Sequence, residues 1–290
     1  MYKIFVDTDS DFTCEDCKKY DLGLISMPYE IDGKNVYPYF DWETYDEHEF
    51  YNKLRSGPIP STSAVNPEEY VQLMEPYFKE GKDILYVSFS NALSSTFNSL
   101  RLAQEQLKEK YPDRFIEILD TKGITGCAYK AGLEMIEYIQ EGNHSLDEIR
   151  EFAKYTADHT ACYLYADNLK FFAKSGRVSG FSAFVGGIIG IKPIIYLNDE
   201  GKMLSVDKVR GRNKAISALV KYVTDLQLDV KKHSIVVTHT DFLEGAEELI
   251  KELKAALGDD LNIRVHCVNP TNGVHAGPDC VAVAFHAIHR

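Results

Sequence analysis

The sequence is short of positive charge and of long apolar runs. Its 290 residues carry 44 acidic and 32 basic side chains, and the net charge of −12 argues against a general binder of nucleic acid or of anionic membranes. The most apolar window, Ala183–Leu197, is too short to span a bilayer and contains Lys192-Pro193. The chain enters a strand-like run directly and lacks a signal peptide, so we expect a soluble, cytoplasmic protein.

The signature motifs of common enzymes and metal sites are also missing. The sequence contains no Gly-x-x-x-x-Gly-Lys-Ser/Thr loop, no Gly-x-Gly-x-x-Gly, no Gly-x-Ser-x-Gly and no His-Glu-x-x-His. The six cysteines are scattered, which argues against a disulfide framework. Cys14-x-x-Cys17 lacks the second pair of ligands that a zinc site requires. We therefore expect no cofactor and no metal site.

Strand-like apolar runs alternate with helical patterns, which indicates βαβ units and a mainly parallel sheet. A polar break at residues 140–144 divides the pattern, so we predict two α/β domains, residues 1–150 and 151–290, with an approximate boundary. The strand-like runs are Tyr2–Val6, Leu24–Ile31, Ile84–Ser88, Phe115–Leu119, Thr160–Tyr165, Lys192–Leu197, Lys202–Val206, Ser234–Thr238 and Ile263–Val268. The helical patterns cover Pro67–Lys79, Ser95–Lys110, Gly126–Gln140, Ser145–Thr156, Asn213–Leu226 and Leu243–Leu257.

Two turns rich in hydroxyl groups lie directly before predicted helices. The first is Ser61-Thr62-Ser63, and the second contains Ser90, Ser94, Ser95 and Thr96. Free backbone N–H groups and the helix dipole favour an anion at such a turn, although an ordinary N-cap uses the same residue types. The presence of two such turns strengthens the interpretation as an anion site.

Three further segments carry polar residues in settings that suggest chemistry. Asp7, Asp9 and Asp11 follow the first strand, where carboxylates so few and so local favour a structural role over a cation site. Arg177 lies in a glycine-flanked turn and suits either an anion or a structural carboxylate. His275 lies in a predicted glycine-rich turn, where it can donate a hydrogen bond or titrate.

Taken in order, these segments resemble the DegV family. The match covers essentially the whole chain, and its order and spacing make it specific although no single motif is. The matching motifs are Thr8-Asp9-Ser10, Thr62-Ser63, Ser90-Asn91-Ala92-Leu93-Ser94-Ser95-Thr96, Gly176-Arg177-Val178-Ser179, Ile191-Lys192-Pro193-Ile194, Lys208-Val209-Arg210 and His275-Ala276-Gly277-Pro278.

The resemblance implies a two-domain α/β protein that binds a long-chain fatty acid between its domains and is not itself an enzyme. It implies presentation of the carboxylate to a separate fatty-acid kinase, which forms an acyl-phosphate for phospholipid synthesis. Four residues would bind the carboxylate: Thr62, Ser94, Arg177 and His275. A secondary shell would be Ser63, Ser95 and Thr96. The acyl-tail pocket would contain Phe181, Phe184, Ile188, Ile189, Ile191 and Ile194, and the kinase would dock on Lys208, Arg210 and Arg212.

Departures from the family pattern leave the head group and the acyl selectivity open. Val65-Asn66, Ser95 and Asp279 replace residues of the motifs, and Asp279 places a negative charge near the proposed anion. Two alternatives therefore remain. One is a serine hydrolase with Ser94 as nucleophile and His275 as base. The other is a binding protein for a different small anion.

Overall fold

The computed structural model describes residues 2–38, 46–57, 59–167, 169–179 and 190–290. Strands β1 (Tyr2–Asp7), β2 (Gly23–Ile25), β6 (Asp83–Ser88) and β7 (Ile116–Asp120) form a parallel sheet in the order β2-β1-β6-β7. A small antiparallel sheet consists of β3 (Tyr29–Ile31), β4 (Lys34–Val36) and β5 (Ser61–Thr62). The fold class is α/β, as predicted.

A mixed seven-stranded sheet occupies the second half of the chain. Its members are β8 (Thr160–Tyr165), β9 (Val178–Ser179), β10 (Ile191–Leu197), β11 (Met203–Arg210), β12 (Ile235–His239), β13 (Ile263–Cys267) and β14 (Val281–His286). They lie in the order β13-β12-β14-β8-β10-β11-β9. Strand β14, which the sequence analysis missed, pairs antiparallel with both β8 and β12 and so stands at the centre of this sheet.

Ten α-helices lie in the described part of the chain. They are α1 (Cys14–Lys19), α2 (Glu47–Arg55), α3 (Pro67–Lys79), α4 (Thr96–Lys110), α5 (Gly126–Gln140), α6 (Leu146–Asp158), α7 (Leu169–Ser175), α8 (Arg212–Leu226), α9 (Leu243–Leu257) and α10 (Pro270–Ala276). The bounds of α3, α5, α9 and β8 agree with the sequence prediction. No helix in the described ranges is long and apolar enough to cross a membrane.

The predicted strand Leu24–Ile31 is wrong as one element. The chain leaves the parallel sheet after Ile25 and enters the small sheet at Tyr29, because Pro28 has no N–H to continue a ladder. The domain boundary remains a prediction; residue 150 lies inside α6.

Helix α5 lies between the two large sheets and is buried along most of its length. It packs against β6 of the parallel sheet and against β8, β12 and β14 of the mixed sheet. One continuous apolar core therefore takes side chains from both sheets, including Val6, Leu85, Ile136, Leu164 and Ala284. A second core fills the opposite face of the mixed sheet, under α8 and α9.

The acidic turn after β1 connects the start of the chain to α10, near its end. Asp11 accepts hydrogen bonds from the backbone and side-chain nitrogens of Asn269 at 3.1 and 2.6 Å. The carbonyl of Asp9 accepts from Asn272 Nδ2 at 2.9 Å. Asp7 accepts its hydrogen bonds from the turn itself and from the parallel sheet. These contacts agree with the structural role that the sequence favoured for the carboxylates of Asp7 and Asp11, whereas Asp9 takes part through its backbone carbonyl.

The stability of the protein should fall as pH rises, in part because of Asp11. Burial raises the pKa of Asp11 from 3.8 to about 7, against the opposing effect of the Asn269 hydrogen bonds. The folded protein therefore holds a proton that the unfolded chain releases, so stability is lost between about pH 4 and pH 7. Asp11→Asn keeps an oxygen for Asn269 and removes the charge. As pH rises from 5 to 8, the free energy of unfolding of wild type should fall by roughly 1–3 kcal/mol more than that of this variant.

Denaturant unfolding at both pH values measures this difference. Asp113→Asn, which alters an exposed carboxylate, is the matched control and should follow wild type. Parallel pH profiles for Asp11→Asn and wild type would contradict a buried, protonated Asp11.

Candidate ligand-binding site

Thr62 and His275 meet although 213 residues separate them. Thr62 ends β5, and its Oγ1 lies 3.1 Å from Nε2 of His275. The prediction that His275 lies in a glycine-rich turn is wrong, since it occupies the last turn of α10. Gly277 ends that helix at a φ of +71°, a conformation that favours glycine.

Helix α10 is held in place from two sides. Besides the bonds to the acidic turn, Thr271 Oγ1 donates to the carbonyl of Met27 at 2.7 Å. On the other side α2 packs on α10, and the Tyr51 hydroxyl donates to the carbonyl of Val268 at 2.8 Å. A Cβ on Gly273 would lie 2.6 Å from Tyr51 Oη, so only glycine permits this close approach. The orientation of His275 is thus fixed by packing of α10 rather than by a loop.

The second hydroxyl turn divides into structural and available groups. Thr96 is buried; its Oγ1 accepts from the Val65 N–H at 3.2 Å and lies 3.0 Å from Tyr70 Oη. The Thr96 hydroxyl therefore joins Val65 to Tyr70, and its place in the secondary shell stays a prediction. Ser94 is half-buried and accepts from the Thr96 N–H at 3.2 Å, so its own O–H remains a donor.

The neighbouring hydroxyls have other positions. Ser90 is fully buried and donates to the carbonyl of Gly201, in the β10–β11 hairpin, at 2.9 Å. Ser63 and Ser95 are exposed to solvent, so burial does not hold either hydroxyl in the secondary shell predicted for it. Among the described hydroxyls of the second turn, Ser94 is thus the one with both partial burial and a donor to spare.

An apolar cavity has His275 in its wall and is lined by residues from both halves of the chain. Leu93, directly before Ser94, lies in its wall, and Thr125 lies at the start of α5. The other described lining residues come from β8, α7, β11, β12, α10, β14 and the segments beside them, among them Ile124, Leu164, Phe172, Met203, Thr238, Val268, Ala276, Cys280 and Ala282. The sequence analysis assigned none of these side chains to the acyl tail, because they come from separate elements and, apart from Leu93 and Ala276, lie outside the family motifs.

None of the predicted acyl-tail residues is found in the wall of this cavity as far as the structure describes it. Phe181, Phe184, Ile188 and Ile189 fall outside the described residues. Ile194 is wrong as a cavity residue: it is fully buried in the core under α8 and α9. Side chains alternate along β10, so Ile195 faces the cavity side and Ile194 faces away from it. Ile191 is half-buried and is not among the described lining residues.

A polar surface pocket lies on the other side of the Thr62–His275 pair. Its walls include Lys174, Ser175 and Arg177 together with Thr62 and His275. Arg177 is exposed, and its Nη1 donates to the carbonyl of Ser175 at 2.5 Å. His275 therefore separates an apolar cavity from a pocket that carries two cations.

The imidazole of His275 is neutral near pH 7. Burial, and to a smaller extent the charge of Arg177, lowers the pKa of His275 to about 4. A neutral imidazole donates one hydrogen bond and accepts another, depending on its tautomer. The Thr62–His275 pair thus keeps one proton for an anion, on Thr62 Oγ1 or on His275 Nδ1 according to the tautomer, and offers it without a buried countercharge.

Asp279 does not bring an unpaired charge to the site. Its Oδ1 accepts from Arg55 Nη2 at 2.8 Å, and Arg55 Nη1 also donates to Asp241 at 2.5 Å. Asp279 has a φ of +65°, a left-handed conformation that favours glycine. The substitution is thus matched by an arginine on α2.

The three cations predicted for docking differ in exposure. Lys208 and Arg210 lie at the exposed end of β11. Arg212 is half-buried, and its guanidinium lies 4.4 Å from the centre of the Phe242 ring. Arg212 is therefore partly engaged within the protein.

A model of the DegV family of uncharacterised proteins matches residues 1–287. The chain belongs to the DegV family. A DegV domain-containing protein from Clostridium perfringens is 33% identical over 294 residues, which cover 98% of this chain and 97% of that protein. A relative from Caldanaerobacter subterraneus is 29% identical over 290 residues and 98% of this chain.

Solved structures share the fold. A fatty-acid-binding DegV family protein from Streptococcus agalactiae has a TM-score of 0.85 at 24% identity, with 99% of each chain covered. A DegV family protein from Eubacterium eligens, loaded with heptadecanoic acid, has a TM-score of 0.83 at 18% identity and covers 99% of this chain and 100% of that one. These likenesses establish the DegV fold for this chain.

NMR of the imidazole protons tests the electrostatics of the site. In ligand-free protein, His275 should remain neutral down to about pH 4 to 5, because burial opposes the charged form. Arg177→Ala should raise the pKa of His275, yet leave it below 6.5, since burial has the larger effect. Arg101→Ala, an exposed cation on α4, should leave it unchanged. Protonation of His275 near pH 6.5 in wild type would mean that the imidazole is solvated.

Proposed function

We propose that this protein binds a long-chain fatty acid. The tail occupies the apolar cavity, and the carboxylate lies between Thr62, Ser94 and His275. The observation that carries this proposal is an apolar cavity with the neutral imidazole of His275 in its wall, hydrogen-bonded to the Thr62 hydroxyl. Each buried methylene contributes roughly 0.8 kcal/mol, so the tail supplies most of the affinity.

Related proteins support the choice of ligand. The Streptococcus agalactiae protein is described as fatty-acid-binding, and the Eubacterium eligens protein was loaded with a C17 acid. A different small anion fits the site less well, because it would leave the apolar cavity unfilled.

A hydrolase fits less well too. Among the described residues, His275 contacts Thr62 rather than Ser94, and Asp279 pairs with Arg55. The chain of nucleophile, base and orienting carboxylate that a serine hydrolase uses is therefore not assembled.

We further propose that the bound carboxylate is presented to a separate fatty-acid kinase in the cytoplasm. The carboxylate position adjoins the polar pocket with Lys174 and Arg177, which opens at the surface. The sequence has no nucleotide-binding loop of its own, so a phosphoryl donor has to come with another protein. Lys208 and Arg210 offer that protein an exposed cationic edge in an acidic chain.

Fatty-acid binding should depend on Ser94 and Thr62. Ser94→Ala and Thr62→Val should each weaken palmitate binding by roughly 1–3 kcal/mol, the range for hydrogen bonds to a charged group. Ser95→Ala and Ser63→Ala alter exposed neighbouring hydroxyls and should bind like wild type. Hexadecanol should bind wild type less well and respond less to the two variants. Calorimetry on delipidated protein measures all of these affinities.

Organic extraction of the purified protein, followed by mass spectrometry, tests the ligand class itself. We expect fatty acids of about C14 to C18 in near-stoichiometric amounts. An empty extract together with no binding of added palmitate would overturn the lipid proposal. Wild-type affinity in both Ser94→Ala and Thr62→Val would place the carboxylate elsewhere.

Charge reversal at the edge of β11 should affect the kinase step alone. In Lys208→Glu/Arg210→Glu, acyl-phosphate formation should slow and become less sensitive to salt, while palmitate affinity stays unchanged. Arg212 is left intact because it packs on Phe242. A reconstituted assay with the host's kinase, ATP and Mg²⁺ measures the rate.

Lys108→Glu/Lys110→Glu carries the same charge change at the exposed end of α4 and is the matched control. Full turnover with the β11 variant would reject this docking surface. No turnover with wild type would leave the binding role and remove the kinase step.

A further inference from the structure

A cluster of two histidines and one glutamate lies apart from the fatty-acid site, where α5 packs on the mixed sheet. Glu134 belongs to α5, His233 precedes β12, and His286 ends β14. One nitrogen or oxygen atom from each lies within 4.8 Å of the others. Glu134 Oε1 is already 3.1 Å from His233 Nδ1. The two imidazole rings stack with centroids 3.8 Å apart and an interplanar angle of 17°, so one ring has to rotate for both in-plane lone pairs to reach one ion.

His286 carries a buried ring nitrogen that lacks a hydrogen-bond partner among the described residues. This nitrogen is Nδ1, one of the two that the ring can offer to an ion, and His286 is 3% exposed. A buried nitrogen without a partner costs about 1–3 kcal/mol, so such groups are rare in proteins. A bound ligand that accepts the lone pair of this nitrogen would remove the cost.

We propose that Glu134, His233 and His286 form a binding site for a divalent transition-metal ion, for which Zn²⁺ is the best match. Imidazole nitrogen together with carboxylate oxygen suits Zn²⁺ rather than Mg²⁺ or Ca²⁺, which prefer oxygen ligands alone. Three protein ligands leave a fourth position for water. Glu134 and His233 are half-buried, so solvent reaches that position.

Lys130 competes with a metal ion for this site. It is fully buried one turn before Glu134 on α5, and its Nζ donates to Glu134 Oε1 at 2.9 Å. A cation bound by Glu134 has to share that carboxylate with the ammonium group and is repelled by its charge. Removal of the ammonium group should therefore tighten metal binding, an effect opposite in sign to removal of a ligand.

The ion would join α5 to β12 and β14. The site lies about 12 Å along α5 from Gly126, the residue at which this helix begins beside the cavity. We therefore expect the metal ion to stabilise the packing of α5 on the mixed sheet, without a part in fatty-acid binding.

Calorimetric titration of the metal-stripped full chain with Zn²⁺ tests the proposal. Wild type should bind one ion per chain, and His286→Ala and His233→Ala should each lose at least tenfold in affinity. Lys130→Met should bind at least threefold more tightly. Bound Co²⁺ should show the visible absorption of a site with nitrogen and oxygen ligands, and Zn²⁺ should raise the melting temperature of wild type but not of His233→Ala.

Two controls separate this site from others on the chain. His48→Ala removes an exposed imidazole, and Cys14→Ser/Cys17→Ser removes the vicinal thiols; both should bind Zn²⁺ like wild type. Absence of saturable binding to wild type would overturn the proposal, as would unchanged affinity in His233→Ala or loss of the ion in the cysteine variant. His233 lies outside the core strands, so its variant remains informative if His286→Ala does not fold.

Discussion

The attachment of α10 to the acidic turn after β1 is the constraint on which the rest of the site depends. Asn269, Asn272 and Thr271 bind backbone and carboxylate groups that lie more than 240 residues earlier in the chain. Burying these carboxylates is costly, and burial raises the pKa of Asp11 for that reason. These contacts fix the position of α10 against β5, and His275 Nε2 therefore reaches Thr62 Oγ1.

Helix α2 completes the constraint from the outer side. Phe50, Tyr51 and Leu54 pack against α10 in a small core of their own, and Arg55 extends the contact to Asp241 and Asp279. The aspartate at position 279 therefore matters less for the ligand than the sequence suggests, because its carboxylate pairs with Arg55, which it shares with Asp241. Asp279 and Arg55 are far apart in the sequence, so the sequence alone does not reveal that they pair.

Local patterns in the sequence predicted the elements with strong periodicity or clear end signals, such as α5, α9 and β8. The family motifs placed Thr62 and His275 together, although not in the correct element for His275. Three-dimensional packing decided the rest. The sequence does not show which face of β10 is turned toward the cavity, and this decides the position of Ile194. It also does not show that the Thr96 hydroxyl contacts Val65 and Tyr70. Glu134, His233 and His286 follow no ligand spacing and meet only because α5 lies across the mixed sheet.

The electrostatics of the ligand site bear on what the proposed complex can do next. A carboxylate held by Thr62, Ser94 and a neutral His275 keeps most of its negative charge, because no buried cation is paired with it. Lys174 and Arg177 lie in the adjoining pocket, where Arg177 is solvated. Affinity then comes mainly from burial of the tail, which does not change when the head group reacts. A carboxylate bound in this way remains a nucleophile toward a phosphoryl donor, whereas a buried ion pair would stabilise the same oxygen and oppose its transfer.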